Sequence, residues 1–383
     1  MSKIDDLIKE LCPNGVEYKK LKNISIMQRG QSITSKDLTV GRIPVIAGGQ
    51  LPSTYNDIYN RDGETITVSG SGAYAGYVNY WNEPILCTDS FSIKSEEVNM
   101  RFLYHFLKMN QKEIYNKKKG AGIPHVHISD LEDMNIPIPP LEVQEEIVRI
   151  LDKFGKLEAE LEAELEVRKS QYEFWRGKVF DSIDAKLVKL SDLCKIGDGL
   201  HGTPNYLNDG EYYFINGNNL LNGKIIYDDK TRKVSKTEFE NQNIKLDENT
   251  LLMSINGTIG KVSYYNGEKI MLGKSVAYFN ILDEKVLSKK YLYYLLQAPN
   301  SVRYYNDSLT GSTILNLGLK AIREFEIPLP PIDEQNRISN ILEHFDKLIN
   351  DITIGLPSEI ELRRQQYEYY RNKLLSFEVS VNG

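Results

Sequence analysis

Three groups of residues have types that could do catalytic chemistry, and in each the required spacing fails. Gly273-Lys274-Ser275 ends like a phosphate-binding loop. That loop needs a glycine five residues before Gly273, where the sequence has Glu268, so a turn before a strand is the better reading. His125 and His127 could bind a metal, but no cysteine or carboxylate set stands at ligand spacing beside them. Cys12, Cys87 and Cys194 lie far apart, form no Cys-x-x-Cys pair, and have no histidine nearby for nucleophilic work. An adenosylmethionine-dependent amino-methyltransferase would need a glycine-rich cofactor loop and an Asn/Asp-Pro-Pro-aromatic motif. Here the Pro-Pro pairs follow Ile-Pro-Ile or Ile-Pro-Leu and precede Leu141 or Ile332. No catalytic residue and no metal ligand is assigned, and the sequence favours binding over catalysis.

Residues suited to binding sit in turns. Lys117, Lys118 and Lys119 head a Gly120-Ala-Gly122 turn and could meet phosphate; a solvated loop is the plainer alternative. Ser69, Ser71 and Tyr74 lie in a small, hydroxyl-bearing stretch that matches the stretch holding Asn256 and Thr258, with one gap. Such turns let backbone approach a ligand closely, or are simply tight β-turns. His125 follows the lysines, and Lys274 lies in the Gly-Lys-Ser turn. His201, Thr203 and Asn205 sit in Gly197-Asp-Gly-Leu-His-Gly-Thr-Pro-Asn205, and Asn218 and Asn219 in a second Asn-rich loop. Asparagine can pair bidentately with adenine, and lysine or arginine with guanine, although Asn-rich loops are as often plain turns.

The charge distribution permits such contacts. The 383-residue chain carries a net charge of −6. Residues 16–135 hold 14 Lys+Arg against 13 Asp+Glu, and residues 186–326 hold 18 against 16. The acid concentrates in residues 141–185, with 7 against 12, and 332–383, with 6 against 9. Binding to a polyanion needs a local basic face rather than a basic whole. At 41% hydrophobic and 26% charged residues the chain is neither disordered nor fibrous. No run of about 18 apolar residues suggests a membrane span, and residues 1–6 do not resemble a signal peptide. With three unpatterned cysteines, a cytoplasmic protein is expected.

An internal repeat positions these loops. Residues 136–154, beginning Ile136-Pro-Ile-Pro-Pro and containing Gln144, match residues 327–345, beginning Ile327-Pro-Leu-Pro-Pro and containing Gln335, at nine of nineteen positions. Gln171-Tyr172-Glu-Phe-Trp175-Arg matches Gln366-Tyr367-Glu-Tyr-Tyr370-Arg, with four more residues intervening in the second copy. Each Pro-Pro pair should precede a helix, with acidic residues in its first turns. Apolar residues then recur at three and four: Ile147, Leu151, Phe154, Leu157, Leu161 and Leu165; and Ile338, Leu342, Phe345, Ile349 and Ile352. The two stripes should pack together as a coiled coil, parallel or antiparallel. The second helix breaks at Gly355-Leu-Pro357, with Ser358 and Glu361 read as a capping box restarting it. The larger segments read as mixed α/β, with strands near 65–68, 85–87, 212–215, 250–253 and 276–279 and helices near 100–112 and 289–297.

Two segments of this kind, each ending in Ile-Pro-(Ile/Leu)-Pro-Pro-x-x-x-Gln and a helix closing with Gln-Tyr-Glu-aromatic-aromatic-Arg, resemble the specificity subunit of type I restriction–modification systems. The stretch 197–204 also looks like a motif of that family's recognition domains. The first copy lacks it and has Arg29-Gly-Gln31 near the equivalent place, which adds Arg29 and Gln31 to the contact candidates. The resemblance implies two α/β target recognition domains, 16–136 and 186–327, after an N-terminal arm, 1–15. It implies two spacer helices packed antiparallel, the first in 137–185 and the second, with a C-terminal tail, in 328–383, with a pseudo-two-fold repeat. Each domain would read one half of a split double-stranded DNA target. The implied partners are two methyltransferase subunits, which carry S-adenosylmethionine, and restriction subunits, which use ATP and Mg. This chain would hold no cofactor and perform no catalysis. Gln144, Ile147, Leu151, Phe154, Tyr172, Trp175, Gln335, Ile338, Leu342, Phe345, Tyr367 and Tyr370 become candidates for the helix pair and partner docking. The competing expectation is a coiled-coil scaffold displaying two protein- or glycan-binding domains.

Overall fold

The computed structural model describes residues 3–34, 39–120, 122–311, 314–351 and 354–380. The chain folds into two compact units, one of residues 1–162 with 359–383 and one of residues 163–358. The mixed α/β architecture is built twice. In the first unit, strands Ile26–Arg29, Ser90–Lys94, Glu64–Ser69 and Val78–Asn82 form an antiparallel sheet in that order. In the second, Cys194–Asp198, Val276–Ile281, Thr250–Ser254 and Val262–Tyr264 repeat the order. Each unit adds a parallel strand pair, Ile43–Ile46 with Leu86–Cys87 and Tyr212–Ile215 with Ile270–Leu272. Each central strand, 64–69 and 250–254, is buried along almost its whole length, as its Val, Ile, Leu and Thr content requires.

A helix covers each sheet: Met100–Met109 in the first unit and Lys289–Leu296 in the second. The first stops at Met109 rather than continuing to 112. Asn110 takes a non-helical conformation there, and a new helix, Gln111–Asn116, begins. The strand just before each Pro-Pro pair, Asn135–Ile138 and Glu326–Pro328, pairs back to Glu17–Lys20 and Leu187–Lys189. The spacer helices therefore begin as helix at Leu141 and Ile332, after the prolines.

The first spacer helix is continuous over Leu141–Asp181, as its Leu-Glu-Ala-Glu repeats allow. The second is two helices, Ile332–Asn350 and Leu356–Leu375. The restart comes at Leu356, before Ser358, so Ser358 is not its N-cap. Proline is tolerated in a first helical turn because that N–H has no intrahelical partner, and Pro357 sits there. Gly355 packs against the end of the preceding helix: a Cβ on it would lie 2.6 Å from the Lys347 carbonyl oxygen.

Each core is closed by a helix end from the other sequence copy. In the first unit Ile147 and Leu151 share a core with Leu374 and Leu375, and Tyr367 packs against it. In the second, Tyr172 and Phe180 share a core with Ile338 and Leu342, and Phe345 packs at its edge. The pairing is antiparallel: Phe154 stacks on Tyr370 at 5.4 Å, and Glu158 faces Arg364 at 2.5 Å. The ion pairs here are exposed and contribute about 0.2–1 kcal/mol each; the buried apolar stripe supplies most of the stabilisation.

Candidate functional site

The loops carrying the candidate contacts are held by one backbone frame, made twice. In the first unit the Gly70 N–H donates to the Asp89 carbonyl at 3.1 Å, Gly72 to Pro124 at 3.0 Å, Gly76 to Ser69 at 2.7 Å, and Val126 to Gly70 at 3.0 Å. In the second unit Ile255 donates to Ser275 at 2.9 Å, Gly257 to Leu315 at 3.0 Å, Gly260 to Ser254 at 2.9 Å, and Leu317 to Ile255 at 2.9 Å. The frame needs glycine at matched places. Gly72 and Gly257 have φ of +81° and +71°, a region disfavoured for side-chain-bearing residues. Gly30 and Gly199 pass so close to the neighbouring strand that a Cβ would lie 2.0 and 2.2 Å from the carbonyl oxygens of Thr88 and Leu272.

Matched bonds fix the correspondence of loop residues. Ser71 bridges His125 in the first unit, and Asn256 bridges Asn316 in the second. Arg29, the last residue of its strand, corresponds to Asp198. The Thr88 N–H donates to Ile46 as the Gly273 N–H does to Ile215. Asp89 and Ser275 each accept at the next matched bond, so Lys274 is one residue inserted in the second copy.

The first unit has a cavity of about 240 Å³ in this region, lined by Arg29, Ser32, Asp89, His125 and His127 among others. Its two imidazoles stack with centroids 5.9 Å apart. The Ser71 hydroxyl donates to Asp89. The second unit has an open cavity of about 530 Å³ lined by Tyr206, Asn216, Asn218, Asn219, Lys230 and Arg232 among others. The Arg232 guanidinium lies 4.5 Å from the centre of the Tyr206 ring, which favours the cation electrostatically.

The candidates divide by what already engages them. Ser69 is buried and its hydroxyl donates to the Gly49 carbonyl at 3.3 Å. Lys117 pairs with Glu113 at 3.4 Å, Lys118 donates to the Ala73 carbonyl at 3.0 Å, and Lys119 pairs with Asp130. Against the opposing effect of burial, Lys119 and the His127 N–H hold the Asp130 carboxyl below its usual range. Asn219 accepts from the Asn216 N–H at 2.9 Å and donates to the Ile226 carbonyl at 2.8 Å, so it builds its loop. Asn205 is tied to Glu238 at 2.7 Å, and His201 to Asp198 at 2.7 Å. Arg29, Gln31, Tyr74, Thr203, Asn218, Thr258 and Lys274 are exposed, and Ser71, His125 and Asn256 half-buried. Sequence reasoning missed Asp89, Ser275 and Asn316; only the sheet register places Asp89 at the rim of the first unit and Ser275 and Asn316 at the rim of the second.

Among the helix candidates, Gln144, Ile147, Leu151, Tyr172, Gln335, Ile338 and Leu342 are buried in their own units, and Phe154, Phe345 and Tyr367 half-buried. Trp175 and Tyr370 are exposed, and so are their preceding aromatics Phe174 and Tyr369, at 61% and 63%. The signal for the last two was the doubled aromatic pair of the repeated motif. Among the described residues no cluster of three His, Cys, Asp or Glu could hold a metal, and no helix is long and apolar enough to cross a membrane.

Comparison with known proteins follows the repeat. The family described as type I restriction modification DNA specificity domain matches residues 13–167 and 183–362. The chain is 34% identical over 271 residues to the EcoR124I/EcoR124II type I restriction enzyme specificity subunit of Escherichia coli, an alignment covering 65% of each chain. It is 29% identical over 387 residues to a putative type I restriction enzyme specificity subunit of Haemophilus influenzae, covering 94% of this chain and 96% of that one. Among solved structures, the S subunit of a type I restriction–modification system from M. genitalium superposes with a TM-score of 0.57 at 16% identity, covering 94% of this chain and 96% of that one. A chain from work on complex assembly and conformational transition of the type I system gives 0.60 at 19%, covering 95% and 98%.

Proposed function

Because this chain belongs to the type I restriction–modification DNA specificity family, we propose that it is the non-catalytic, DNA-reading subunit of such a complex, with each unit reading one half of a bipartite duplex target. The observation that carries this reading is the loop frame built twice with different side chains upon it. Equal frames present side chains to equal stretches of duplex. Unequal side chains specify different bases there, by hydrogen bonds to base edges in the major groove.

In this reading the spacer helices set the unread gap between half-sites and dock two methyltransferase subunits. The internal repeat gives one asymmetric chain two similar seats. The exposed aromatic pairs Phe174–Trp175 and Tyr369–Tyr370 stand at equivalent places in the two copies and supply anchors of the type that dominates protein interfaces. Methylation uses S-adenosylmethionine on the methyltransferase subunits; cleavage uses ATP and Mg on restriction subunits that join the assembly. Such a complex acts in the cytoplasm.

The test is a base-resolution map of methylated adenines in cells co-expressing this chain with its methyltransferase partner. One split motif with a fixed gap is the expected result. If the partner methylates with another specificity subunit yet no motif appears with this one, the reading fails and a scaffold role takes its place.

A further inference from the structure

The repeated frame does more than support DNA reading: it separates residues that build the loops from residues free to differ. Four matched backbone bonds and the matched glycines Gly30/Gly199 and Gly72/Gly257 are common to both units. Ser69 and Ser254 are also common, and both are buried. At Gly30 and Gly199 a Cβ would collide with neighbouring backbone, and at Gly72 and Gly257 the positive φ disfavours a side chain.

Around that frame the side chains differ in hydrogen-bonding type. Where the first unit has Ser71, the second has Asn256; a small hydroxyl becomes a carboxamide whose Nδ2 donates to the Lys274 carbonyl at 3.2 Å and whose oxygen accepts. Asp89, an exposed anion that only accepts, becomes Ser275, whose hydroxyl donates to Asn216 at 3.1 Å. His125 becomes Asn316. Lys274, exposed and inserted, adds a cation with no counterpart in the first unit. A difference in packing alone would exchange one apolar side chain for another. These exchanges instead change donor and acceptor identity at half-buried or exposed positions on a rigid backbone, which is the variable that distinguishes one base edge from another.

We propose that Ser71, Asp89 and His125 in the first unit, and Asn256, Ser275, Asn316 and the inserted Lys274 in the second, contact the bases that each unit specifies. This assignment rests on the DNA-reading function proposed above and names its specificity-determining positions.

The test transplants one rim onto the other frame. The full chain bearing Ser71→Asn, Asp89→Ser and His125→Asn is co-expressed with the methyltransferase partner, and methylated adenines are mapped. The expected result is a shift of at least tenfold in methylation away from the parental bases at one or more positions of the first unit's half-site, with the other half-site and the gap unchanged. Lys274→Ala provides a second, independent variant at an exposed position; it should relax at least one base position in the opposite half-site by a similar factor. Parental half-sites retained within twofold by both variants, each shown folded by its melting curve, overturn the assignment. An equal fall at both half-sites overturns it as well, because it marks a role in general affinity. If the triple variant does not fold, Lys274→Ala decides alone. A parallel chain in which residues 16–136 come from a relative separates the two levels of inference. If that exchange alters one half-site while the rim variants alter none, the rim assignment fails and DNA reading by the units stands. If the exchange alters neither half-site, the underlying reading fails too.

Discussion

Gln144 and Gln335 make two hydrogen bonds in common at the heads of the two spacer helices, and the Gln335 Nε2 donates to the Val286 carbonyl as well, at 2.8 Å. Each Oε1 accepts from a backbone N–H at the start of a sheet-covering helix, Asn99 and Ser288 respectively, at 2.9 Å. Each Nε2 donates to a carbonyl of the Pro-Pro segment, Pro139 and Pro330, at 2.8 Å. The glutamine of the repeated motif thus fastens the spacer helix to its own unit. Replacement by leucine, similar in size, leaves a buried N–H and carbonyl unpaired, which costs about 1–3 kcal/mol. Gln335→Leu should speed hydrogen exchange in residues 286–296 while leaving residues 99–109 as they were; Gln144→Leu should do the reverse. Equal acceleration in both regions would contradict this local role.

His105 gives the first unit a pH dependence with a definite sign. Its Nε2 lies 2.8 Å from Asp152 and its Nδ1 3.2 Å from the Tyr367 hydroxyl. Burial pushes the imidazole below its ordinary value of 6.5, against the pull of Asp152, with Arg101 and Arg371 reinforcing burial. The neutral ring then donates to Asp152 and accepts from Tyr367. Below pH 6.5 the unfolded chain takes up a proton that the folded unit resists. Stability is therefore fully present above pH 6.5 and falls as pH drops toward the lowered folded value, by at most about 1.4 kcal/mol per unit. Asp152 adds the same sign at lower pH: although burial opposes it, His105 and Arg101 hold its carboxyl low. Urea unfolding at pH 7.5, 6.5 and 5.5 should show the first unit weakening over the last step, and His105→Gln should flatten that step.

Much of this architecture is legible in the sequence. The 191-residue offset between Gln144 and Gln335 announces two copies, and the apolar spacing from Ile147 to Leu165 announces the helix. What the linear pattern hid is which copy each helix end serves. Tyr172 and Tyr367 occupy matching motifs, yet each packs into the unit named for the other copy. Local periodicity cannot carry that, because it depends on partners about 170 and 260 residues away. The buried glutamines were read among docking candidates for a related reason: a polar residue beside an apolar stripe looks exposed until its backbone partners are known. The rim residues Asp89 and Asn316 stand in no motif, and Ser275 only in the Gly-Lys-Ser turn considered for its lysine; strand register and the matched bridges place each at the rim of its own unit.

The exposed aromatics of the repeated motif offer a prediction independent of DNA. Phe174 and Trp175 are 61% and 49% exposed and meet edge-on with centroids 5.5 Å apart. Replacing both with alanine removes little from the core of the second unit. As interface anchors they would each contribute about 2 kcal/mol or more. The double variant should melt within about 2 °C of the parent, since small surface losses move Tm little. Its affinity for the purified methyltransferase subunit should fall at least tenfold by calorimetry. Undiminished binding would place docking elsewhere. Tyr369 should behave likewise, whereas Tyr370→Ala should also cost stability because its ring stacks on Phe154.

The continuous helix Leu141–Asp181 supplies the last prediction. Residues 161–164 form one Leu-Glu-Ala-Glu unit of its repeat, and one such unit spans about 6 Å at a rise of 1.5 Å per residue. DNA advances about 3.4 Å per base pair. If the spacer helices set the gap, deleting residues 161–164 should shorten the unread segment by about one or two base pairs and leave both half-sites unchanged. The deletion removes the contacts of Glu162 with Arg364 and of Glu164 with Arg168, both exposed pairs whose loss costs well under 1 kcal/mol each. A four-residue deletion also keeps the apolar stripe close to its original face, since a helical turn holds about 3.6 residues. The chain should therefore fold, and a methylated-adenine map of cells carrying it gives the answer directly. A gap of parental length, or half-sites that change while the gap does not, would remove the helices from any role in setting the spacing.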